Sequence, residues 1–162
     1  MIKKRTVLGI DPGTGRCGWA VIQIKNSSSV ELVDYGCIET KANTPLPERL
    51  EIIFETISKL IKKYHPTEMA IEELFFVKNI KTGISVSQAR GVVILAGKLM
   101  KIPVFEYKPN EIKLAIAGHG HATKEQMAKM IKLHINGCNI KQDDTADAIA
   151  IALHHLQTRK IS

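Results

Sequence analysis

Cysteine is scarce in this chain: Cys17, Cys37 and Cys138 are odd in number, far apart and without any C-x-x-C spacing. Such a pattern supports no disulfide framework, and the apolar neighbours of the three thiols make them expected buried free cysteines. Long apolar runs are missing too, since nothing approaches the ~20 residues of a membrane span. After the basic start at Met1 to Arg5 the chain reaches Asp11 within a few apolar positions, so no signal-peptide core forms. The expected location is therefore the cytoplasm, with no membrane engaged. Internal repeats and low-complexity linkers are also lacking. With 162 residues and 44% hydrophobic content the expectation is a single domain over residues 1–158 and a short tail, 159–162.

What is present is positive charge. Lys and Arg total 23 against 16 Asp and Glu, a net charge of +7, which suits a polyanionic partner but also an ordinary basic protein. Thr6 to Ile10 reads as a buried strand that stops at Asp11 and the turn Pro12-Gly13-Thr14-Gly15; Cys17 to Lys25 and Val30 to Ile38 continue a three-stranded meander. Leu50, Ile53, Ile57, Leu60, Ile61 and Tyr64 recur at helical spacing between Pro47 and Pro66. Met69 to Glu72 is a short strand, Ser85 to Met100 an apolar helix, and Ile102 to Glu106 another strand. Pro109 to Ala117 is a short helix, Thr123 and Gln126 form a capping box for a helix to about His134, and Asp143 to Gln157 is the last helix. Three antiparallel strands followed by alternating helices and parallel strands make an α/β protein, a mixed five-stranded sheet with helices on both faces.

The acids carry the chemistry. Asp11 ends the first strand at a Gly-rich turn, although an Asp before Pro-Gly also suits a plain turn. Glu72 and Glu73 follow Met69-Ala70-Ile71, and strand alternation lets only one of them join Asp11; the pattern leaves open which. Asp144 and Asp147 lie three apart on an otherwise apolar helix. Asp143 and Asp144 are explained by capping the helix N-terminus, whereas Asp147 is not. Convergence of acids from two strands and a late helix is eased by a cation, and hard oxygen ligands favour Mg²⁺ or Mn²⁺. Two such ions about 4 Å apart suit in-line phosphoryl transfer. His119 and His121 have metal-ligand character in Gly-His-Gly-His, but zinc spacing is lacking and the glycines suit a loop that approaches a nucleic-acid backbone.

Gly9-Ile10-Asp11-Pro12-Gly13-Thr14-Gly15, Gly18-Trp19-Ala20, Ala70-Ile71-Glu72-Glu73 with Phe75-Phe76, and Ala89-Arg90-Gly91 resemble the RuvC family of Holliday junction resolvases. So do Pro103 to Tyr107, Lys113, the loop Gly118 to Ala122 with Lys124, and Asp144-Thr145-Ala146-Asp147-Ala148-Ile149-Ala150. The motifs keep their order over nearly the whole chain.

This resemblance implies a ribonuclease H-like fold and a Mg²⁺-dependent endonuclease, with Mn²⁺ able to substitute, that resolves four-way DNA junctions by paired nicks in recombination and repair. It implies Asp11, Glu72, Asp144 and Asp147 as the metal carboxylates, choosing Glu72 over Glu73, and Lys113 and Lys124 as catalytic-site lysines. DNA contacts are implied for Phe75, Phe76, Lys78, Arg90, Lys113, His119, His121 and Lys124, with Phe75 or Phe76 stacking on bases at the junction centre. A homodimer and a branch-migration motor partner are implied as well. The Ser85 to Met100 helix is apolar on more than one face, which fits a dimer contact or burial between the sheet and another helix of its own chain. Two other readings remain: the Asp11 to Gly15 loop also resembles the phosphate loop of actin-like ATPases and sugar kinases, which need two such domains, and a catalytically silent junction-binding module would keep the same surface.

Overall fold

A computed structural model of the chain describes residues 4–26, 29–74, 79–135 and 143–159, with the side chains of Asp143 and Asp144 outside that description. β1 (Thr6–Asp11), β2 (Arg16–Asn26) and β3 (Ser29–Glu39) form the meander, followed by α1 (Leu46–Tyr64), β4 (Glu68–Glu72), α2 (Ile80–Leu99), β5 (Val104–Tyr107), α3 (Pro109–Ala117), α4 (Lys124–His134) and α5 (Asp143–Thr158). The five strands lie in the order β3-β2-β1-β4-β5. β1–β2 and β2–β3 are antiparallel, whereas β1–β4 and β4–β5 are parallel. None of the described helices is long and apolar enough to cross a membrane.

Alternation along the central strands splits the core into two layers. Leu8 and Ile10 of β1 and Met69 and Ile71 of β4 face α1 and α2, where Ile53, Ile57, Leu60, Ala89, Val93 and Ala96 close over them. Val7 of β1 and Ala70 of β4 face the opposite side, covered by α5 with α3 and α4 behind it. The parity that sends Val7 and Ala70 to the α5 side sends Gly9 and Asp11, and Glu72, the same way. At Gly9 the helix lies almost on the strand: a Cβ there would meet the Ala148 carbonyl oxygen at 2.3 Å and Ala152 Cβ at 2.8 Å. Glycine is thus the only residue that permits this approach.

Element ends differ from the expectations where local chemistry was hard to read. α2 begins at Ile80 and not Ser85, because the Asn79 side chain accepts from the Lys81 and Thr82 amides, a cap followed by β-branched and glycine residues that read as non-helical. β5 begins at Val104 and not Ile102: Lys101 adopts a left-handed φ of 59° and the Ile102 amide donates to Gly97 O, so those residues finish the helix. α3 occupies the expected span, and the Thr123–Gln126 capping box is present at α4. Of the thiols expected to be buried and outside any disulfide, Cys17 is buried, Cys37 is half-buried on the edge strand β3, neither forms a disulfide, and Cys138 lies outside the described residues.

Candidate active site

Asp11 and Glu72 are the last residues of two neighbouring parallel strands. The β1–β4 register runs to Ile10 opposite Ile71, so each acid is the next residue beyond that pair, on the α5 side of the sheet. Both are half-buried, and the tight turn after Asp11 has Gly13 so close to Arg16 O that a Cβ would stand 2.2 Å from it. Glu73 takes the opposite parity and its amide donates to Tyr107 O at 2.8 Å. The choice that the strand pattern left open is therefore settled geometrically in favour of Glu72 as the residue on Asp11's side.

Asp147 arrives from α5, which Gly9 allows to settle onto β1. Glu72 and Asp147 line one cavity of about 260 Å³ together with Lys113, Lys124, Pro109, Ile112, Ala122, Met127, Ala150 and Ile151. Lys113 is half-buried on α3, and Lys124 is exposed in the first turn of α4 just after its Thr123 cap. Four of the six residues expected at the catalytic centre thus meet in one place. Asp11 lies beside Glu72 in the sheet, and the Asp144 side chain falls outside the described residues. Among the described residues, no group of three or more His, Cys, Asp or Glu side chains is close enough to hold an ion alone.

Burial, reinforced by the negative charge of Asp147 and only partly relieved by Lys113, pushes the Glu72 carboxyl from its ordinary 4.5 up to about 7. Two acids therefore share a cavity in which their joint ionisation is penalised, and hard oxygen donors in that state match a divalent cation of the Mg²⁺ or Mn²⁺ kind. A consequence for stability follows. A carboxyl whose folded value exceeds its unfolded one stabilises the fold fully below about 4.5 and loses that contribution as pH rises through about 7. In chelator at pH 8, Glu72→Gln is expected to raise unfolding stability by about 1–3 kcal/mol, after allowing for solvent screening at the open side of the cavity. At pH 4 the two proteins should be equally stable; a thermal melt series in EDTA measures both.

Other expected DNA contacts have varied surroundings. Arg90, on α2, donates from Nε to the backbone carbonyl of Glu72 at 3.2 Å and pairs through Nη2 with Glu106, so it braces the end of β4. That role was not foreseen. His119 and His121 are exposed on the α3–α4 loop, whose Ala122 reaches the cavity wall. Phe75, Phe76 and Lys78 lie outside the described residues. The apolar walls from Ile112, Met127 and Ile151 are contributions that motif reading missed, because they look like ordinary core positions.

A family model described as crossover junction endodeoxyribonuclease RuvC matches residues 7–155. The chain belongs to the RuvC family. A RuvC from Brachyspira hyodysenteriae is 54% identical over 154 residues, covering 95% of both chains, and one from Brevibacillus brevis is 46% identical, covering 94% of this chain and 92% of that one. The solved structure of Thermus thermophilus RuvC in complex with Holliday junction substrate superposes with a TM-score of 0.88 at 33% identity, over 93% of this chain and 92% of that one. A yeast mitochondrial Holliday junction resolvase, at 16% identity and a TM-score of 0.70 over 91% of this chain and 76% of that one, shares the fold. The ribonuclease H-like expectation thus holds as read: a mixed five-stranded sheet with helices on both faces.

Proposed function

We propose that this RuvC-family chain is a crossover junction endodeoxyribonuclease that resolves four-way DNA junctions in recombination and repair by paired, metal-dependent nicks. The observation that carries the reading is the cavity in which Glu72, Asp147, Lys113 and Lys124 meet at the ends of β1 and β4. Asp11, Glu72, Asp144 and Asp147 would hold the metal, most simply two Mg²⁺ ions with Mn²⁺ as a substitute. Such ions, when bound, supply Lewis-acid stabilisation of the scissile phosphate and an activated water. The residues themselves do the rest. Ionised Glu72 and Asp147 provide hard oxygen donors, and the Lys113 and Lys124 ammonium groups offset charge that develops on the phosphate. Ile112, Met127 and Ile151 restrict water on the inner side and keep the field of the lysines strong.

The exposed His119–His121 loop would follow the DNA backbone beside the cavity, and Phe75 or Phe76 would stack on unpaired bases at the junction centre. A branch-migration motor partner and a cytoplasmic location complete the reading. The test is incubation of the purified protein with a synthetic four-way junction and Mg²⁺. Symmetric nicks in opposed strands are expected, with linear duplex of the same sequence left uncut; uncut junction, or equal cutting of duplex, would overturn the reading. Since +7 of net charge drives phosphate neutralisation, log-log plots of junction affinity against salt should slope steeply downward, by roughly −0.9 for each phosphate contact.

Two matching cuts call for two matching sites, and α2 offers the contact. Its buried side, with Ala89, Val93 and Ala96, packs on the sheet and α1, while Ile80, Ile84, Leu95 and Leu99 remain 51–78% exposed. These apolar residues and the wall shared with Pro47, Leu50 and Phe54 of α1 form an apolar surface that an isologous dimer would bury. Leu95→Glu and Ile84→Glu are expected to convert a sedimenting dimer into a monomer at micromolar concentration, and to replace paired cuts by isolated nicks. A dimer that tolerates both charges would place the contact elsewhere.

A further inference from the structure

Beyond the cavity, a second set of polar side chains is buried in the largely apolar interface between α5 and the sheet. His155 of α5 is fully buried, and both of its ring nitrogens are engaged. Nε2 lies 3.0 Å from Glu68 Oε2, and Nδ1 lies 2.6 Å from the Tyr107 hydroxyl. Glu68 in turn accepts from Arg5 Nε at 2.7 Å. Burial alone would raise the Glu68 carboxyl, but its bonds to Arg5 and His155 hold it below the usual range, so it is an ionised acceptor. Burial also keeps His155 neutral, over the opposing pull of Glu68. With Glu68 ionised, the tautomer that fits has Nε2–H donating to Glu68 and Nδ1 accepting from the Tyr107 hydroxyl; Arg5 Nη2, 3.3 Å from Nε2, then makes no bond to the ring and serves Glu68 through Nε.

The members of this chain are tied to the active site by their places in the fold. Tyr107 is the register partner of Glu72 across β4–β5, and Glu68 begins the same five-residue strand that Glu72 ends. Asp147, Ile151 and His155 stand four residues apart along one side of α5, the first two in the cavity wall. Most of the α5 interface is Ala, Ile and Leu, which resist sliding or rotation only through shape; near its start Thr145 Oγ1 makes one long bond, 3.5 Å, to Gly36 O of β3, and near its end His154 packs edge-on against the Tyr107 ring. Directional bonds between α5 and both flanking strands select one rotation and one height. An apolar residue at 155 would fill the same space without that selection.

We propose that the Tyr107–His155–Glu68–Arg5 chain is a positioning device that sets where Asp147 stands relative to Glu72, and thereby sets the affinity of the cavity for its metal ion. This rests on the reading of that cavity as a metal site. The residues are positioning residues and touch neither metal nor DNA. His155→Phe keeps a ring and removes both bonds; His155→Gln can still accept from Tyr107 and donate to Glu68; Tyr107→Phe removes one hydroxyl.

Titration of the free protein with Mn²⁺, followed by the spin-resonance signal of unbound ion, reads the site without cleavage. Substituting groups that hydrogen-bond a metal ligand typically weakens binding by 10–100-fold; this chain acts one step further out, through the placing of α5 against β4, so His155→Phe is expected at the lower end, raising the Mn²⁺ dissociation constant by about tenfold, and Tyr107→Phe by roughly threefold. His155→Gln should restore most of it, and junction affinity in chelator should match the unaltered protein in all three. The Mg²⁺ concentration for half-maximal cleavage should rise in the same order. Lower melting temperatures with unchanged Mn²⁺ affinity in both Tyr107→Phe and His155→Phe would overturn the proposal, and if His155→Phe does not fold, Tyr107→Phe decides it. Unaltered protein that binds no Mn²⁺ and cuts junctions in chelator would instead overturn the metal reading of the cavity, and this proposal with it.

Discussion

Glu72→Gln is expected to lower junction cleavage by roughly a thousandfold or more, about 4 kcal/mol of transition-state stabilisation, while junction affinity measured in chelator stays at the level of the unaltered protein. The two readouts separate because different groups serve them. Cleavage needs ionised oxygen donors, and an amide at position 72 supplies a neutral carbonyl in a cavity shared with Asp147. Binding draws on lysines and arginines spread over the surface, whose charges the substitution leaves intact. Asp11→Asn, Asp144→Asn and Asp147→Asn are expected to behave alike. Glu73→Gln is the control: position 73 has the parity that faces away from Asp11, and its amide is committed to Tyr107 O. Should Glu73→Gln abolish cleavage while Glu72→Gln cuts at the ordinary rate, the assignment on β4 is wrong.

The pH dependence of cleavage should show the same residue. Because the proton on Glu72 competes with the metal, and burial with the charge of Asp147 pushes its carboxyl up to about 7, metal affinity should climb as pH rises toward about 7 and level off above it. Glu72→Gln therefore trades the proposed chemistry for stability, losing cleavage and gaining resistance to unfolding in chelator at pH 8.

Much of this arrangement was legible in the chain because the relevant signals are local. The end of β1 is written in Asp11-Pro12-Gly13, the α4 start in Thr123 and Gln126, and the α3 span in Pro109 and the Gly118 that follows Ala117. Alternation showed that one of Glu72 and Glu73 must face Asp11; choosing between them needed the sheet, where Ala70 and Glu72 share the α5 side. Long-range matters were not legible. Nothing near Arg90 in sequence announces that its guanidinium reaches the Glu72 carbonyl, 18 residues earlier. His155 reads as one of two adjacent histidines near the end of a mostly apolar helix until Glu68 and Tyr107 are brought to it from β4 and β5. The start of α2 was missed because its cap, Asn79, precedes residues of poor helix propensity, which tertiary packing of Gly83 and Ala89 overrides. Phe75, Phe76, Lys78 and the Asp144 side chain lie outside the described residues, so their roles stay with the family resemblance.

Gly9→Ala is expected to be among the most damaging single-methyl changes at the described glycines. The added Cβ would stand 2.3 Å from the Ala148 carbonyl oxygen, 2.8 Å from Ala152 Cβ and 3.0 Å from the Ala152 amide nitrogen. Two of these three atoms are backbone, so no rotamer change relieves the contact, and α5 must move off β1. Overpacking of a close-packed core typically costs 1–3 kcal/mol, and a clash with helix backbone belongs at or beyond the upper end. At about 2–4 °C per kcal/mol for a chain of this size, the melting temperature should fall by roughly 10 °C. Activity should fall further than stability explains, because Ala148 follows Asp147 directly, and displacing α5 carries that carboxylate away from Asp11 and Glu72. At a temperature where the Gly9→Ala protein is still folded, Mg²⁺-dependent cleavage is therefore expected to drop by at least tenfold, with junction affinity in chelator little changed. Gly120→Ala supplies the comparison, since a Cβ there meets only Asn110 atoms at 3.9 Å and its melting temperature should stay within about 2 °C. If Gly9→Ala melts and cuts like the unaltered protein, α5 does not rest on β1 at this point, and the route by which Asp147 reaches the sheet edge is not the one described.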